Sequence, residues 1–421
     1  MSEFKAVRGV KDILPPETRV WQYAEDTARR LFHKYGLTEI RTPIFEVTPL
    51  FVRTIGETTD IVEKEMYTFL DKKGRSLTLR PEGTAGVVRA YLENNLAARD
   101  KVAKLYYIGP MFRYERPQAG RLRQFHQIGA EIIGTDNPLA DVEIIAVSID
   151  FFKALGLKDL KLYLNNLGCP KCRLSFKKAL SGYLAENKAE LCEDCQHRMD
   201  RNPLRVLDCK QDSKKFKDIP LIADFLCPEC RGHFEKVKEQ LKIMKINYAI
   251  DIHLVRGLDY YTRTVFEIKT ESLGAQDAVA AGGRYDNLVH DLGGPQGTGA
   301  VGFSLGMERL VMVIQAQGIT IPLYKTEVYI ISLGEKAREC AINILFDLRR
   351  RNLTAEMGYE DTSLKAQLRQ ADKTGAAYAV IIGEEELNKG KLVLRNMKDA
   401  TQAEVAIDDL VNIVSKKLAS Q

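Results

Sequence analysis

At residue 169 the sequence changes texture, near 250 it changes back, and this interruption limits the possible folds more than any other feature. Up to 168, amphipathic helix alternates with strand-like runs. From 254 to 310 glycine-rich, strand-like sequence returns in RTVFEIKT, AVAAGGRYD and GGPQGTGAVGFSLGMERL. Between them lysine rises, all three C-x-x-C pairs occur, and helical stretches dominate at 173–190 and 231–246. One domain split by a small, mainly helical insertion accounts for this order. The expected division is 1–168 and 251–325 for the two parts of the split domain with a Pro-containing linker, 169–250 for the insertion, and 326–421 for a final domain. In that last part TEVYIISLG, a helix at 336–350, LTAEMGY, a helix at 363–373, AAYAVIIG, KLVLRNM and a helix near 408–419 alternate, as in a compact α/β unit.

Composition narrows the classes. The chain has 421 residues, 62 basic and 57 acidic side chains for a charge of +5, and 45% hydrophobic residues. At roughly 100–200 residues per domain the length suits two to four domains. The apolar content excludes disorder, and the scattered 30 Gly and 14 Pro exclude a fibrous chain. No apolar run approaches the ~18 residues of a membrane helix, so no membrane partner is expected. The N-terminal MSEFKAVRGVKDILPPE has mixed charge and no apolar stretch, which does not suit a secretory signal. C-x-x-C pairs without a signal suggest metal or redox thiols and a cytosolic compartment. The small charge neither requires nor excludes a nucleic-acid partner.

Local periodicity supplies elements. Residues 18–35 put Val20, Ala24, Ala28, Leu31 and Phe32 on one helical stripe, with Gly36 as a stop. MYTFLDKKGRSLTLRP predicts a hairpin turning at Asp71 to Gly74, and 139–155 predicts a buried helix.

No G-x-x-x-x-G-K-[ST], H-E-x-x-H or G-x-S-x-G occurs, so P-loop, zinc-peptidase and esterase chemistry have no support. The densest constellation is YIGPMFRYERPQAGRLRQFHQIGAEIIG at 107–134: two strand-like runs around a loop with Pro117, Gly120 and the arginines 113, 116, 121 and 123. Strand alternation puts Gly109, Met111, Arg113 and Glu115 on one face, and Gln127, Gly129 and Glu131 on one face of the second run. If the faces coincide, an arginine, an amide and a carboxylate stand beside a glycine that leaves space for ligand, a set suited to a zwitterion with a phosphate nearby. A solvated basic hairpin is the plainer alternative. Further polar groups stand where core is expected: Glu82 and Thr84 in TLRPEGTAG, Arg256 and Tyr260–Tyr261 in LVRGLDYYTRTVFE, Arg284 and Tyr285 in AAGGRYD, and Glu308 and Arg309 after the strand-like GAVGFSLG.

These motifs carry a resemblance. The 107–134 hairpin resembles motif 2 of class II aminoacyl-tRNA synthetases and GFSLGMERL resembles motif 3. LVRGLDYYTRTVFE and AAGGRYD resemble the signature peptides of the histidyl-tRNA synthetases, in their bacterial type. VRGVKDILPPE and TLRPEGTAG match that family's N-terminal peptides, 326–421 is similar to its anticodon-binding domain, and the likeness spans essentially the whole chain. It implies an α+β fold: a class II catalytic domain with an antiparallel sheet flanked by helices, a helical insertion, and a C-terminal α/β anticodon-binding domain. The implied function is that of a histidine ligase: activation of histidine by ATP with Mg²⁺ to histidyl-adenylate and pyrophosphate, then transfer to histidine tRNA. By resemblance, Arg113, Arg256 and Arg309 are the catalytic arginines, and Arg113, Glu115, Arg121 and Arg309 bind ATP. Glu82, Thr84, Arg113, Gln127, Glu131, Arg256, Tyr260, Tyr261 and Tyr285 surround histidine, Glu131 and Tyr261 reading its ring nitrogens. Arg116 and Gln118 face the tRNA acceptor end. The resemblance also implies a homodimer, formed around 36–56. Two rivals are a histidine-binding regulatory subunit of the same fold, which typically lacks the C-terminal domain and these arginines, and a prolyl or threonyl synthetase, which would not be expected to carry LVRGLDYYTRTVFE.

The cysteines depart from the family pattern, in which the insertion often lacks paired thiols. Spacing alone suits Cys169, Cys172, Cys192 and Cys195 as a zinc site. A helix of ~18 residues between the pairs would hold them ~27 Å apart. Cys169, Cys172, Cys227 and Cys230 are therefore the expected structural zinc ligands, clamping the ends of the insertion. Cys192, Cys195 and Cys209 would form a second, incomplete set, and the isolated Cys340 belongs to core. Reduced thiols without metal are the alternative.

Overall fold

Apolar residues three and four apart wind residues 17–34 into the first helix, whose stripe of Trp21, Ala24, Ala28 and Phe32 is buried. Val20 and Leu31, expected on that stripe, pack half-buried at its edge. Gly36 beyond the helix takes φ +72°, a conformation most side chains avoid. The computed structural model describes residues 4–200, 202–207, 209, 211–212, 215, 218–273, 278–322 and 325–419. Its Cα positions form two compact units, Met1–Ile321 and Pro322–Gln421. Among the described residues no helix is long and apolar enough to cross a membrane.

In chain order the first unit begins with α1 (Glu17–Lys34), β1 (Thr38–Glu39), β2 (Phe45–Val47), α2 (Thr48–Ile55), β3 (Thr68–Leu70), β4 (Ser76–Leu79) and α3 (Thr84–Glu93). The hairpin β5 (Ala103–Phe112) and β6 (Gln124–Ile133) follows, then α4 (Pro138–Ala154) and β7 (Leu160–Asn166). The helices α5 (Pro170–Glu186), α6 (Glu193–Arg198) and α7 (Pro228–Ile243) fill the cysteine-bearing segment, before β8 (Ala249–Ile250), β9 (Thr262–Thr270), β10 (Ala278–Arg284), α8 (Leu288–Asp291), β11 (Ala300–Gly306) and α9 (Met307–Ala316). The main sheet has eight strands in the order β1-β5-β6-β11-β10-β9-β7-β8, antiparallel from β5 to β7 with a parallel strand at each edge. β2, β4 and β3 form a separate three-stranded sheet, with the predicted turn closed by Asp71, whose Oδ1 accepts the N–H of Lys73 and of Arg75. One face of the main sheet packs Ile128, Ala130, Ile132, Phe303, Leu305, Phe266 and Ile268 against α1, α4 and α7. The opposite face carries the polar residues described below.

Both long helices of the cysteine-bearing segment start three residues before their expected positions, at Pro170 and Pro228. In each a cysteine is the N-cap and proline follows at the first helical position, where its fixed φ and missing N–H cost nothing. This segment's Phe176, Leu180, Leu184, Met199, Val206 and Ile222 share a hydrophobic core with Leu254, Tyr260, Tyr261 and Tyr285.

The second unit is a five-stranded sheet built from β12 (Val328–Ser332), α10 (Glu335–Arg350), β13 (Ala355–Met357), α11 (Leu364–Lys373), β14 (Tyr378–Ile382), α12 (Glu384–Asn388), β15 (Lys391–Asn396), β16 (Gln402–Ala406) and α13 (Leu410–Ala419). β13, β12 and β14 run parallel, and β15 and β16 continue antiparallel. β14 is buried along its whole length, as its apolar run requires, whereas β16 was not anticipated from the sequence.

Candidate active site

The register of the main sheet aligns the predicted faces. Gly109 pairs with Gln127, Tyr107 with Gly129 and Leu105 with Glu131; Glu131 in turn pairs with Gly302, Gly129 with Ser304, and Ala281 with both Ser304 and Glu267. Directly paired residues project to the same side, so Gln127, Glu131, Ser304 and Glu267 share one face. The hairpin glycines do not leave open space for a ligand, contrary to expectation. A Cβ on Gly129 would lie 2.3 Å from the Tyr107 ring, and one on Gly109 would lie 2.5 Å from the Arg80 guanidinium. Their missing side chains admit Tyr107 and Arg80. Open space lies instead beside Gly306, where a Cβ would meet nothing within 4 Å.

The deep end of the site is a buried polar pocket. Glu131 Oε1 accepts the Thr84 hydroxyl at 2.7 Å and Oε2 accepts the Tyr285 hydroxyl at 2.5 Å. A Cβ on Gly302 would lie 1.6 Å from that second oxygen, so only glycine leaves the carboxyl its place. Burial raises the Glu131 carboxyl to about 8, against the two hydroxyl bonds, which lower it; the nearby Glu82 adds to the rise. Tyr260 lies against Tyr261, ring centroids 4.7 Å apart, and meets Tyr285 edge-on at 5.6 Å. Glu82 closes the N-terminus of α3, Oε2 accepting the Thr84 N–H at 2.6 Å and Oε1 the Ala85 N–H at 2.8 Å. Burial raises this carboxyl, and those two N–H groups oppose the shift.

Toward solvent the pocket opens into a cleft of about 620 Å³ lined by Arg113, Glu115, Arg121, Gln127, Arg256 and Arg309 among others. Arg113 Nε donates to the Pro81 carbonyl at 2.8 Å, and its guanidinium lies 5.3 Å from the Phe125 ring centroid. Arg256 donates to Glu267 at 2.6 Å and lies 5.6 Å from the Tyr261 ring, linking cleft to pocket. Arg309 donates to the Ala278 carbonyl at 2.9 Å, and Arg121 faces Glu115 at 3.5 Å. The buried Gln127 Oε1 has no hydrogen-bond partner, an acceptor turned to the site without a donor. Arg116 and Gln118 are exposed on the hairpin loop, outside the cleft lining, where Gln118 and Arg121 exchange backbone hydrogen bonds.

Two arginines singled out by sequence serve packing. Arg284 is fully buried beneath the other face, donating to Asp141 at 2.6 Å, to Asp286 at 2.9 Å and to the Thr135 carbonyl at 3.0 Å. His233 of α7 meets the same Asp141 at 3.2 Å. Arg123 lies over the Tyr114 ring at 3.8 Å. Conversely, Tyr107, Glu267, Lys269 and Ser304 belong to the site and were missed. Strand alternation from Gly109 and Arg256's need for a counter-ion were the available signals for Tyr107 and Glu267.

The cysteines fall into two groups. Cys169, Cys172, Cys227 and Cys230 have ligand atoms all within 4.8 Å of one another, and so do Cys192, Cys195, Cys209 and Asp212.

An antiparallel sheet presenting a motif 2-like hairpin, a motif 3-like strand and helix, and arginines around one cleft defines a class II aminoacyl-tRNA synthetase. Comparison with known proteins specifies it further. The family described as Histidyl-tRNA synthetase matches residues 9–310, and the family described as Anticodon binding domain matches 327–417. A Histidine--tRNA ligase of Halothermothrix orenii is 51% identical over 98% of this chain and 99% of its own length. One from Desulforamulus reducens is 50% identical over 97% and 98%. The apo histidyl-tRNA synthetase structure from S. aureus superposes with a TM-score of 0.83 at 37% identity, covering 98% of this chain and 99% of that one. The chain belongs to the histidyl-tRNA synthetase family.

Proposed function

We propose that the chain is a histidine–tRNA ligase whose two half-reactions share the site just described. The observation that carries this reading is the junction, through Gln127 and Arg256, of a buried carboxyl–tyrosine pocket with an arginine-lined cleft. Glu131 and Tyr261 read the two imidazole nitrogens, with Tyr260 and Tyr285 forming the walls. Glu82, Thr84 and Gln127 receive the α-amino and carboxylate groups, and the unpartnered Gln127 Oε1 fits an ammonium donor. A pocket whose buried polar groups need both ring nitrogens rejects other amino acids by leaving those groups unpaired.

ATP enters as its Mg²⁺ complex. Arg121 and Arg309 hold the outer phosphates with Glu115 at the loop base, and Arg113 and Arg256 flank the α-phosphate. The histidine carboxylate attacks the α-phosphorus in line, the bond to the bridging oxygen breaks, and pyrophosphate leaves. Fixed guanidinium groups stabilise the charge spread over the α-phosphate, and no protein nucleophile is required. A ribose hydroxyl of the tRNA 3′ end, presented past Arg116 and Gln118, then attacks the adenylate carbonyl and releases AMP. Residues 326–421 supply anticodon recognition, and 169–250 act as an inserted domain of the catalytic body.

We also assign Cys169, Cys172, Cys227 and Cys230 to a structural zinc joining the starts of α5 and α7. Cys169 Sγ and Cys172 Sγ stand 3.6 Å apart, close to the ~3.8 Å edge of a tetrahedron with ~2.3 Å zinc–sulfur arms. Zinc here fixes backbone and takes no part in phosphoryl chemistry. The exposed apolar residues Phe45, Val47 and Phe69 on one face of the three-stranded sheet support a homodimer. The reading puts the enzyme in the cytosol.

The test is charging of histidine tRNA with labelled histidine and ATP. Esterified histidine at the 3′ end is expected. Histidine binding without adenylate or charging would instead favour a regulatory subunit.

A further inference from the structure

We propose that Cys192, Cys195, Cys209 and Asp212 bind a second zinc ion, which holds the 192–212 segment as a strap against the active-site loop 254–261. The sequence left this set one ligand short, and the fold supplies Asp212. Asp212 is 3% exposed, and its Oδ2 accepts the Cys192 N–H at 2.9 Å, an orienting bond of the kind that metal-binding carboxylates receive. Cys195 is fully buried, and Cys192 Sγ stands 3.8 Å from Cys209 Sγ. That spacing matches the ~3.8 Å edge of a zinc–thiolate tetrahedron and is far beyond the ~2.05 Å of a disulfide. Three thiolates and a carboxylate suit zinc better than a hard cation, and they leave the same net charge as four thiolates.

Apart from its buried Met199, Val206 and Ile222, the segment between α5 and α7 has little regular structure to hold it. Its described residues include a single α-helix, the six-residue α6, too short to stand without tertiary support. Yet this segment reaches the catalytic loop. Asn202 donates to Asp259 at 3.3 Å, next to Tyr260 and Tyr261, and a Cβ on Gly257 would sit 3.0 Å from the Arg205 guanidinium. Arg198 and Arg205 each approach Asp60 at 3.9 Å. Metal at the second cluster would fix the start of α6 to Cys209 and Asp212, and so fix the outer support of the loop bearing Arg256. The proposal stands independently of the first cluster and of the assigned chemistry.

Elemental analysis of the untagged full chain, grown with zinc, tests it. Two equivalents of zinc per chain are expected, falling to one in Cys195→Ser and, separately, to one in Cys172→Ser; a single equivalent that Cys195→Ser removes would keep the second site and sink only the first. A single equivalent that Cys195→Ser leaves in place would overturn the second site, as would none. Because a serine variant can misfold, cobalt exchange into the unmutated protein gives a second readout. Thiolate-to-cobalt absorption from all seven cluster cysteines is expected, and absorption from four alone counts against the proposal. For the strap, amide exchange over 254–261 should quicken in Asp212→Ala, and unchanged exchange would remove that role.

Discussion

Glu131, the proposed partner of a histidine ring nitrogen, is buried between β5 and β11. Its carboxyl is raised to about 8 because it is buried, and Thr84 and Tyr285 already donate to its oxygens. A carboxyl whose folded value is raised favours the protonated fold; that contribution is full below the ordinary ~4.3 and is lost as pH rises to about 8. An imidazole N–H bonds an ionised carboxylate more strongly than a neutral carboxyl, so the KM for histidine should fall as pH rises from about 7 through about 8, by up to about tenfold per unit. Glu131→Gln should raise that KM by roughly 10–100-fold and flatten its pH dependence; steady-state activation kinetics in both proteins would check this, and a dependence that survives in the variant contradicts the assignment. The sequence brought Glu131 forward through strand alternation. It could not reveal that Tyr107 fills the space beside Gly129 or that Glu267 holds Arg256, because both depend on pairing between strands distant in sequence.

At the scale of elements, the site is a consequence of register. Gly302 of β11 lies opposite Glu131, and Gly302→Ala would bring a Cβ to 1.6 Å from the carboxylate and 2.7 Å from the Ala130 carbonyl. We expect histidine-dependent activation to fall more than 100-fold, with about 1–3 kcal/mol lost in stability; pyrophosphate exchange and a denaturant midpoint measure the two separately. On the other face, the Asp141–Arg284–His233 cluster ties α4, β10 and α7 together. Burial alone would raise the Asp141 carboxyl, but Arg284 and His233 bring it down to about 2. The stability it supplies is therefore full above the ordinary ~3.9 and is lost as pH falls toward 2. Asp141→Asn should cost about 2–3 kcal/mol, because the buried Arg284 then keeps only Asp286 as a carboxylate partner, and urea unfolding at neutral pH would record it; a loss below about 1 kcal/mol would contradict the role. Strongly periodic helices were legible in the sequence to within a residue or so at α1, α4 and α10. The two Cys-Pro helix starts were misplaced because a cysteine N-cap gives no recognised start signal. β16 was invisible because Val405 alone is buried in it, leaving no alternation to read.

At the scale of the whole molecule, Met1–Ile321 is one compact unit across the texture change at 169, and the cysteine-bearing segment shares a core with Tyr260, Tyr261 and Tyr285. Which cysteines meet was legible only in part, since Asp212 joins its cluster through the fold and not through any spacing. The exposed Phe45, Val47 and Phe69 give the proposed dimer its contact. Phe69→Asp should halve the mass seen by light scattering at micromolar concentration, and an unchanged dimer would relocate the interface. In the proposed reaction the buried pocket selects histidine while the arginine-lined cleft activates it. The most direct measurement is exchange of labelled pyrophosphate into ATP, run with each amino acid in turn. Exchange with histidine and little with proline, threonine or the rest is the predicted result; comparable exchange with another amino acid, or none with histidine, would contradict it.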